Sequence, residues 1–381
     1  MGPAGSGTVG HRKAALQAAP ANTRFCRRPA VACRVLNPRA MRQAQTGDGA
    51  VILGVDVGAS SIAGGLVTPA GDVLMHTEMP TRRKGASDGV ERLLSVVADV
   101  HAEARRRGLA IQGVGVGLPC IVDVDRGMNV DDQNFVPELA HVPVADLIRE
   151  QTGLATWVDN DVNALALGEL RWGAGQGASS LVVIAVGTGV GGALVVDGTL
   201  VRGRNGYAGE FGHLSVMMNG PVCFCGGRGC MCVFVAGAAI EQTARLRLRA
   251  RPESKLLALA GGDVAAVTTA MVFEAAAGGD GLARCLVDEA CEALAATLGG
   301  LLNALNPERV VITGGVLRSL APLGDDILQR ATKYVLARVL DDTVVRLIPS
   351  DKSSSMRGAA ALFLYESARR SPRPAAAAER R

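Results

Sequence analysis

The chain has 381 residues, 48% of them hydrophobic and 3% aromatic, enough to bury a large core in two domains or one. Its net charge of +4 comes from the ends: residues 1–47 hold eight Lys or Arg and no acid, residues 368–381 hold five Arg and one Glu, and the stretch between carries 27 basic against 35 acidic side chains. An acidic body excludes a nucleic-acid groove, and without an 18-residue apolar run no helix is expected to span a membrane.

Residues 1–47 have no hydrophobic periodicity and lack the apolar stretch of a secretory signal. They read as a basic, disordered leader, either a tail or the result of a start placed before Met41, with an Arg-rich organellar transit peptide as the alternative. Residence is accordingly cytoplasmic, or organellar if the leader is a targeting peptide. With no export signal, nine cysteines point to metal or buried thiols rather than to a disulfide framework.

Two segments repeat one device. "VILGVDVGASSIAGGLVTPAGDVLMHTE" (51–78) and "LVVIAVGTGVGGALVVDGTLV" (181–201) each read as strand, Gly/Ser/Thr corner, strand, turn, strand, with Pro69-Ala70-Gly71-Asp72 and Asp197-Gly198 as the turns. Helical spacing follows each copy, over 89–108 and 236–250, and again over 285–307, where Asn306-Pro307 stops it. Parallel-type strands are expected at 111–119 and 308–315. The expected fold is α/β, with two similar lobes and a ligand cleft between the corners of the repeats. The lobes are placed at 48–158, with a C-terminal helix over 355–368 as a candidate addition, and at 159–354, followed by a disordered tail at 369–381.

The corners suit a polyphosphate. Gly58, Ser60, Gly187, Thr188, Gly189 and Gly191 allow close backbone approach and offer N–H and hydroxyl donors to anionic oxygens. Asp56, at the end of the first strand, stands where a phosphate-bound Mg²⁺ needs an oxygen ligand. Gly-rich hairpin turns are commonplace taken singly; a matched pair in one chain is not, and neither is a Walker loop.

In "WVDNDVNALALGELRWG" (157–173) a short strand runs into a helix that Asn160 or Asp159 can cap, with Asp161 in its first turn. Asp161 reads either as an ordinary helix-start carboxylate or as a general base for an acceptor hydroxyl facing a γ-phosphate. Further on, His213 with Cys223, Cys225 and Cys230 gives His-x9-Cys-x-Cys-x4-Cys, a full tetrahedral shell for a structural Zn²⁺, with glycines at 226, 227 and 229 permitting a tight knuckle. A shell of Cys223, Cys225, Cys230 and Cys232 is equally open on spacing alone.

These motifs, "GVDVGASSIAGGLV", "GVGVGLP", "DNDVNALALGEL", "GTGVGGALVVDG", "GEFGH", "CFCGGRGC" and "NPERVVITGG", resemble the ROK family of sugar kinases and repressors over residues 50–366. The resemblance implies a two-lobed actin-like ATPase (RNase H-like) fold and an ATP-dependent hexose kinase of the glucokinase type, forming a homodimer. Asp161 would be the catalytic base on the sugar 6-hydroxyl, and Asn160, Glu210 and His213 would contact sugar hydroxyls. Residues 54–61 and 187–194 would hold the ATP phosphates, and Gly314 with Gly315 would border the adenosine. An N-acetylmannosamine kinase and a non-catalytic, sugar-sensing binding protein are the alternatives; the DNA-binding module of the family's repressors has no counterpart in the short leader. Three positions depart from the family pattern: Ser61 replaces a lysine, Pro119-Cys120 replaces Pro-Gly, and Cys230-Met231-Cys232 replaces Cys-x-Glu, removing a sugar-binding carboxylate.

Overall fold

The computed structural model describes residues 49–82, 87–130 and 136–370, so the leader and residues 371–381 of the tail lie outside it. The first repeat forms β1 (Ala50–Val57), β2 (Ser61–Val67) and β3 (Val73–Pro80), followed by α1 (Gly89–Arg106) and β4 (Ala110–Leu118). A two-residue ribbon, β5 (Val122–Asp123) and β6 (Met128–Asn129), precedes α2 (Val144–Thr152), β7 (Thr156–Asn160) and α3 (Asp161–Trp172). The second repeat forms β8 (Leu181–Val186), β9 (Val190–Val196) and β10 (Thr199–Val201). A helical stretch follows: α4 (Cys232–Val235), α5 (Gly237–Leu248), α6 (Lys255–Leu259), α7 (Thr269–Ala277) and α8 (Gly281–Leu305). The chain ends with β11 (Arg309–Gly314), α9 (Leu317–Leu320), α10 (Gly324–Ala331), α11 (Ala337–Asp342), β12 (Val344–Pro349) and α12 (Lys352–Arg370). The expected elements are all present, with ends displaced by a few residues.

The two five-stranded sheets are copies of one plan. Their orders are β3-β2-β1-β4-β7 and β10-β9-β8-β11-β12: two antiparallel hairpins, then two strands parallel to the first. The turns obey the sequence signals. Asp197 (φ 50°) and Gly198 (φ 68°) both adopt the left-handed region that a two-residue hairpin requires. Helix ends are equally local: Asp280 caps α8 by accepting from the Ala283 N–H at 2.8 Å, and left-handed Asn306 before Pro307 ends it.

In each half the last strand of the sheet feeds a helix, β7 into α3 and β12 into α12, and these two helices fill the space between the sheets. Leu165 and Leu167 of α3 pack with Val183 and Val195 of the second sheet and with Leu362 and Tyr365 of α12; Met356, Ala360 and Phe363 of α12 pack on Ile52, Ala63 and Val67 of the first. Outer helices cover the far faces, α1 and α2 on one and α5, α7, α8 and α10 on the other. Crowding in the middle layer explains several glycines. A Cβ at Gly54 or Gly115 would strike the backbone carbonyl of Met356 or Ala359, and one at Gly168 would lie 2.9 Å from the Cα of Gly358, where α3 and α12 cross.

One ionic group ties this layer to both sheets. Arg202, just after β10, bonds Asp159 of β7 at 2.6 Å and Glu366 of α12 at 2.7 Å, both carboxylates being almost fully buried. The Tyr365 hydroxyl accepts from the Leu200 N–H at 3.0 Å alongside. No helix among the described residues is long and apolar enough to cross a membrane.

Two consequences are measurable by urea unfolding. Gly358→Ala forces the helix crossing apart and lowers stability by about 1–3 kcal/mol. Arg202→Met leaves the buried Asp159 carboxylate without its cation and Glu366 with Arg370 alone, and costs about 3–5 kcal/mol.

Candidate functional site

The first corner, between β1 and β2, is closed by the Gly58 N–H donating to the Ser61 carbonyl at 2.9 Å and braced from outside by Thr81. The Thr81 hydroxyl donates to the Gly58 carbonyl at 2.6 Å and its N–H to the Ser60 carbonyl at 3.0 Å. Ser60 itself is exposed. Asp56, one residue before the end of β1, is 8% exposed, and its carboxylate meets the Lys352 ammonium at 2.9 Å.

The second corner repeats the construction. The Gly187 N–H donates to the Gly189 carbonyl at 2.9 Å, and the Gly187 and Thr188 carbonyls accept from Gly237 and Ala238 at the start of α5, at 2.9 and 3.3 Å. Gly314 (φ 111°), at the end of β11, leaves no room for a Cβ against the Val186 carbonyl, and that carbonyl also accepts from the Val316 N–H at 3.1 Å. Gly314 and Gly315 therefore border the second corner.

Between the corners α3 begins. Asn160, not Asp159, is its cap: the Asn160 side-chain oxygen accepts from Val162 and Asn163 at 2.9 and 3.2 Å, and its amide donates to the Cys120 carbonyl at 3.2 Å. This fixes the next residue, Asp161, against two glycines' worth of space. A Cβ on Gly117 of β4 would fall 3.1 Å from the Asp161 Cα, and one on Gly191 of the second corner would fall 2.6 Å from Val162. Burial, and after it the Asp56 carboxylate, push the Asp161 carboxyl up to about 7, outweighing the Val162 N–H and the Lys352 charge.

Glu210 and His213 share one short 3₁₀ turn, with the His213 N–H donating to the Glu210 carbonyl at 3.0 Å; Gly212 seats that turn on Val190 of β9. The ligand atoms of His213, Cys223, Cys225 and Cys230 all lie within 4.8 Å of one another. The distance from His213 Nδ1 to Cys223 Sγ is 3.6 Å and that from Cys225 Sγ to Cys230 Sγ is 3.7 Å, matching the edges of about 3.6–3.8 Å of a tetrahedron with ordinary Zn–N and Zn–S bonds. Cys232 adjoins this set, its Sγ 3.6 Å from Cys223 Sγ and 3.9 Å from His213 Nδ1. Its sulfur thus lies on the cysteine side of the imidazole. None of the described cysteines forms a disulfide.

Every residue singled out from the sequence is placed at a corner, at the start of α3, at the end of β11 or in the knuckle. Three contributors are absent from the sequence reading: Thr81, which braces the first corner from 23 residues away in the chain; Gly117, which makes room for Asp161; and Lys352. The last had a signal, a lone cation opening a helix against its dipole.

The sequence profile of the ROK family matches residues 52–366. Glucokinase of Thermotoga maritima is 32% identical over 313 residues, 82% of this chain and 96% of that protein. Glucokinase of Halalkalibacterium halodurans is 34% identical over 302 residues, covering 77% and 89%. A ROK glucokinase of Streptomyces griseus, solved with glucose and AMPPNP, superposes with a TM-score of 0.69 at 30% identity, covering 82% of this chain and 98% of that one. Matched by the family profile and by such proteins over most of its length, this chain belongs to the ROK family, with the family's actin-like α/β fold.

Proposed function

We propose that the protein phosphorylates a hexose at its 6-hydroxyl with ATP, glucose being the first candidate. The observation that carries this reading is Asp161, a carboxylate fixed at a helix start between two phosphate-suited corners and held at about 7, where a general base works best near neutral pH. Similarity to glucokinases along most of the chain supports it.

In this reading the corners hold the triphosphate through backbone N–H groups and the Ser60 and Thr188 hydroxyls, and Gly314 and Gly315 border the adenosine. Asn160, Glu210 and His213 orient the sugar. Asp161 accepts the proton of the 6-hydroxyl as its oxygen attacks the γ-phosphorus and ADP departs. Asp56 would hold Mg²⁺, which when bound neutralises charge on the phosphates. His213, Cys223, Cys225 and Cys230 would hold Zn²⁺, a closed shell that fixes the imidazole so that its other nitrogen meets a sugar hydroxyl. Without a carboxylate at position 232, sugar selectivity falls to the remaining contacts.

Purified protein with Mg²⁺-ATP and a panel of hexoses should release ADP, and Asp161→Asn should lower kcat by about 10²- to 10⁴-fold. A wild type silent on every hexose would sink the reading. Because the base must be ionised, kcat/KM declines below about pH 7. The same shift bears on stability. Asp161 holds its proton in the folded chain from its ordinary 3.8 up to about 7, so folding is progressively disfavoured across that window. Asp161→Asn should therefore raise the melting temperature by a margin that grows between those values and is level above them. Metal analysis reads the knuckle separately: Cys223→Ser and Cys230→Ser should lose zinc and melt earlier, whereas Cys232→Ser should keep it.

A further inference from the structure

Lys352 is the first residue of the 19-residue α12, in a turn with no acid, where the helix dipole disfavours a cation by about 0.3–1 kcal/mol. Local preference therefore does not explain it. Its Nζ lies 2.9 Å from Asp56 Oδ2 and only 3.5 Å from where a Cβ on Gly58 would stand, so the ammonium sits at the backbone of the first corner. Neither corner has a cation of its own: residues 58–61 are Gly-Ala-Ser-Ser and residues 187–191 are Gly-Thr-Gly-Val-Gly.

The duplicated fold makes the placement more telling. Asp161 opens α3 after the last strand of the first sheet, and Lys352 opens α12 after the last strand of the second. Their caps correspond as well. Asn160 accepts from the N–H three residues on at 3.2 Å, and Asp351 accepts from the Ser354 N–H, also three residues on, at 3.0 Å. Each helix begins against the other half's corner, Val162 beside Gly191 and Lys352 beside Gly58. Equivalent positions in the two halves thus present an acid and a base toward one centre, and Lys352 is close enough to act on the charge of Asp161.

We propose that Lys352 is the cation that receives the terminal phosphates of the nucleotide at the first corner, with Asp56 anchoring its ammonium. A triphosphate carries more negative charge than one Mg²⁺ and neutral donors offset, and an ammonium at hydrogen-bond range supplies the remainder at the phosphate being transferred. The first corner is thereby completed by a residue 296 positions away in sequence from the aspartate it pairs with. This inference rests on the kinase reading above, but its test does not require turnover.

Calorimetry of AMPPNP and of AMP, each with Mg²⁺, on wild type, Lys352→Met and Lys352→Arg is the test. The methionine variant should lose about tenfold to a hundredfold in AMPPNP affinity while AMP stays within about twofold, and the arginine variant should retain most of the AMPPNP affinity. Unchanged AMPPNP binding in Lys352→Met, or an equal loss for AMP, overturns the proposal. Melting curves confirm that the variants are folded, with Lys352→Gln standing in if the methionine variant is not. A protein inactive on all hexoses whose Lys352→Met variant still loses AMPPNP selectively would refute the kinase reading and leave this one standing.

Discussion

The structure depends on a pair of exchanged helices. Each five-stranded sheet sends out a helix from its last strand, and each helix lies against the other half, α3 on β8 and β9 and α12 on β1 and β4. This exchange buries the inner faces of both sheets, requires glycine wherever a strand or helix backbone must come close, and brings both helix starts to the corners. The ionic group of Arg202, Asp159 and Glu366 matters because it joins the second sheet to the root of α3 and to α12 in one place. A charged group this deep is weak evidence of net stability, but it is strong evidence of register, since any slip of α12 would strand two carboxylates.

The candidate site lies where this exchange meets the hairpin corners. The corners are glycine turns, and the ionisable groups arrive from elsewhere: Asp56 from a strand end, Asp161 and Lys352 from helix starts. The raised Asp161 carboxyl results from that crowding, since burial and a second carboxylate act on it together. The knuckle serves a different need. His213 belongs both to the short turn Phe211–His213 and to the clustered cysteine set, so a metal held there would fix that turn.

Much of this was legible in the sequence, and the reason is locality. The hairpin repeats, the Asp197-Gly198 turn, the stop at Asn306-Pro307 and the His/Cys spacing are each encoded within a few dozen residues, where pattern and backbone preference act directly. Asn160 and Asp161 were readable because a cap and its first turn are adjacent. What escaped was non-local. Gly54 and Gly115 look like poor strand residues until α12 is seen lying on them. Cys232 read as either a ligand or an orphan, and only the fold places its sulfur between Cys223 and His213. The pairing of Lys352 with Asp56 follows from no short-range rule.

The separation of Lys352 from Asp56 also bears on how the chain is made. Strands β1 and β4 are among the first described segments to be synthesised, yet the helix that covers their glycine-lined face is the last. Until α12 emerges, Ile52, Ala63 and Val67 of the first sheet lack the helix that packs on them, and Asp56 lacks its ion pair with Lys352. Folding of the amino-terminal half is therefore finished only once α12 has been made, which makes the loop closure long and the half-made chain adhesive. A chain lacking α12 would leave Ile52, Ala63 and Val67 of the first sheet without the helix that packs on them, so the two ends of the described fold depend on each other.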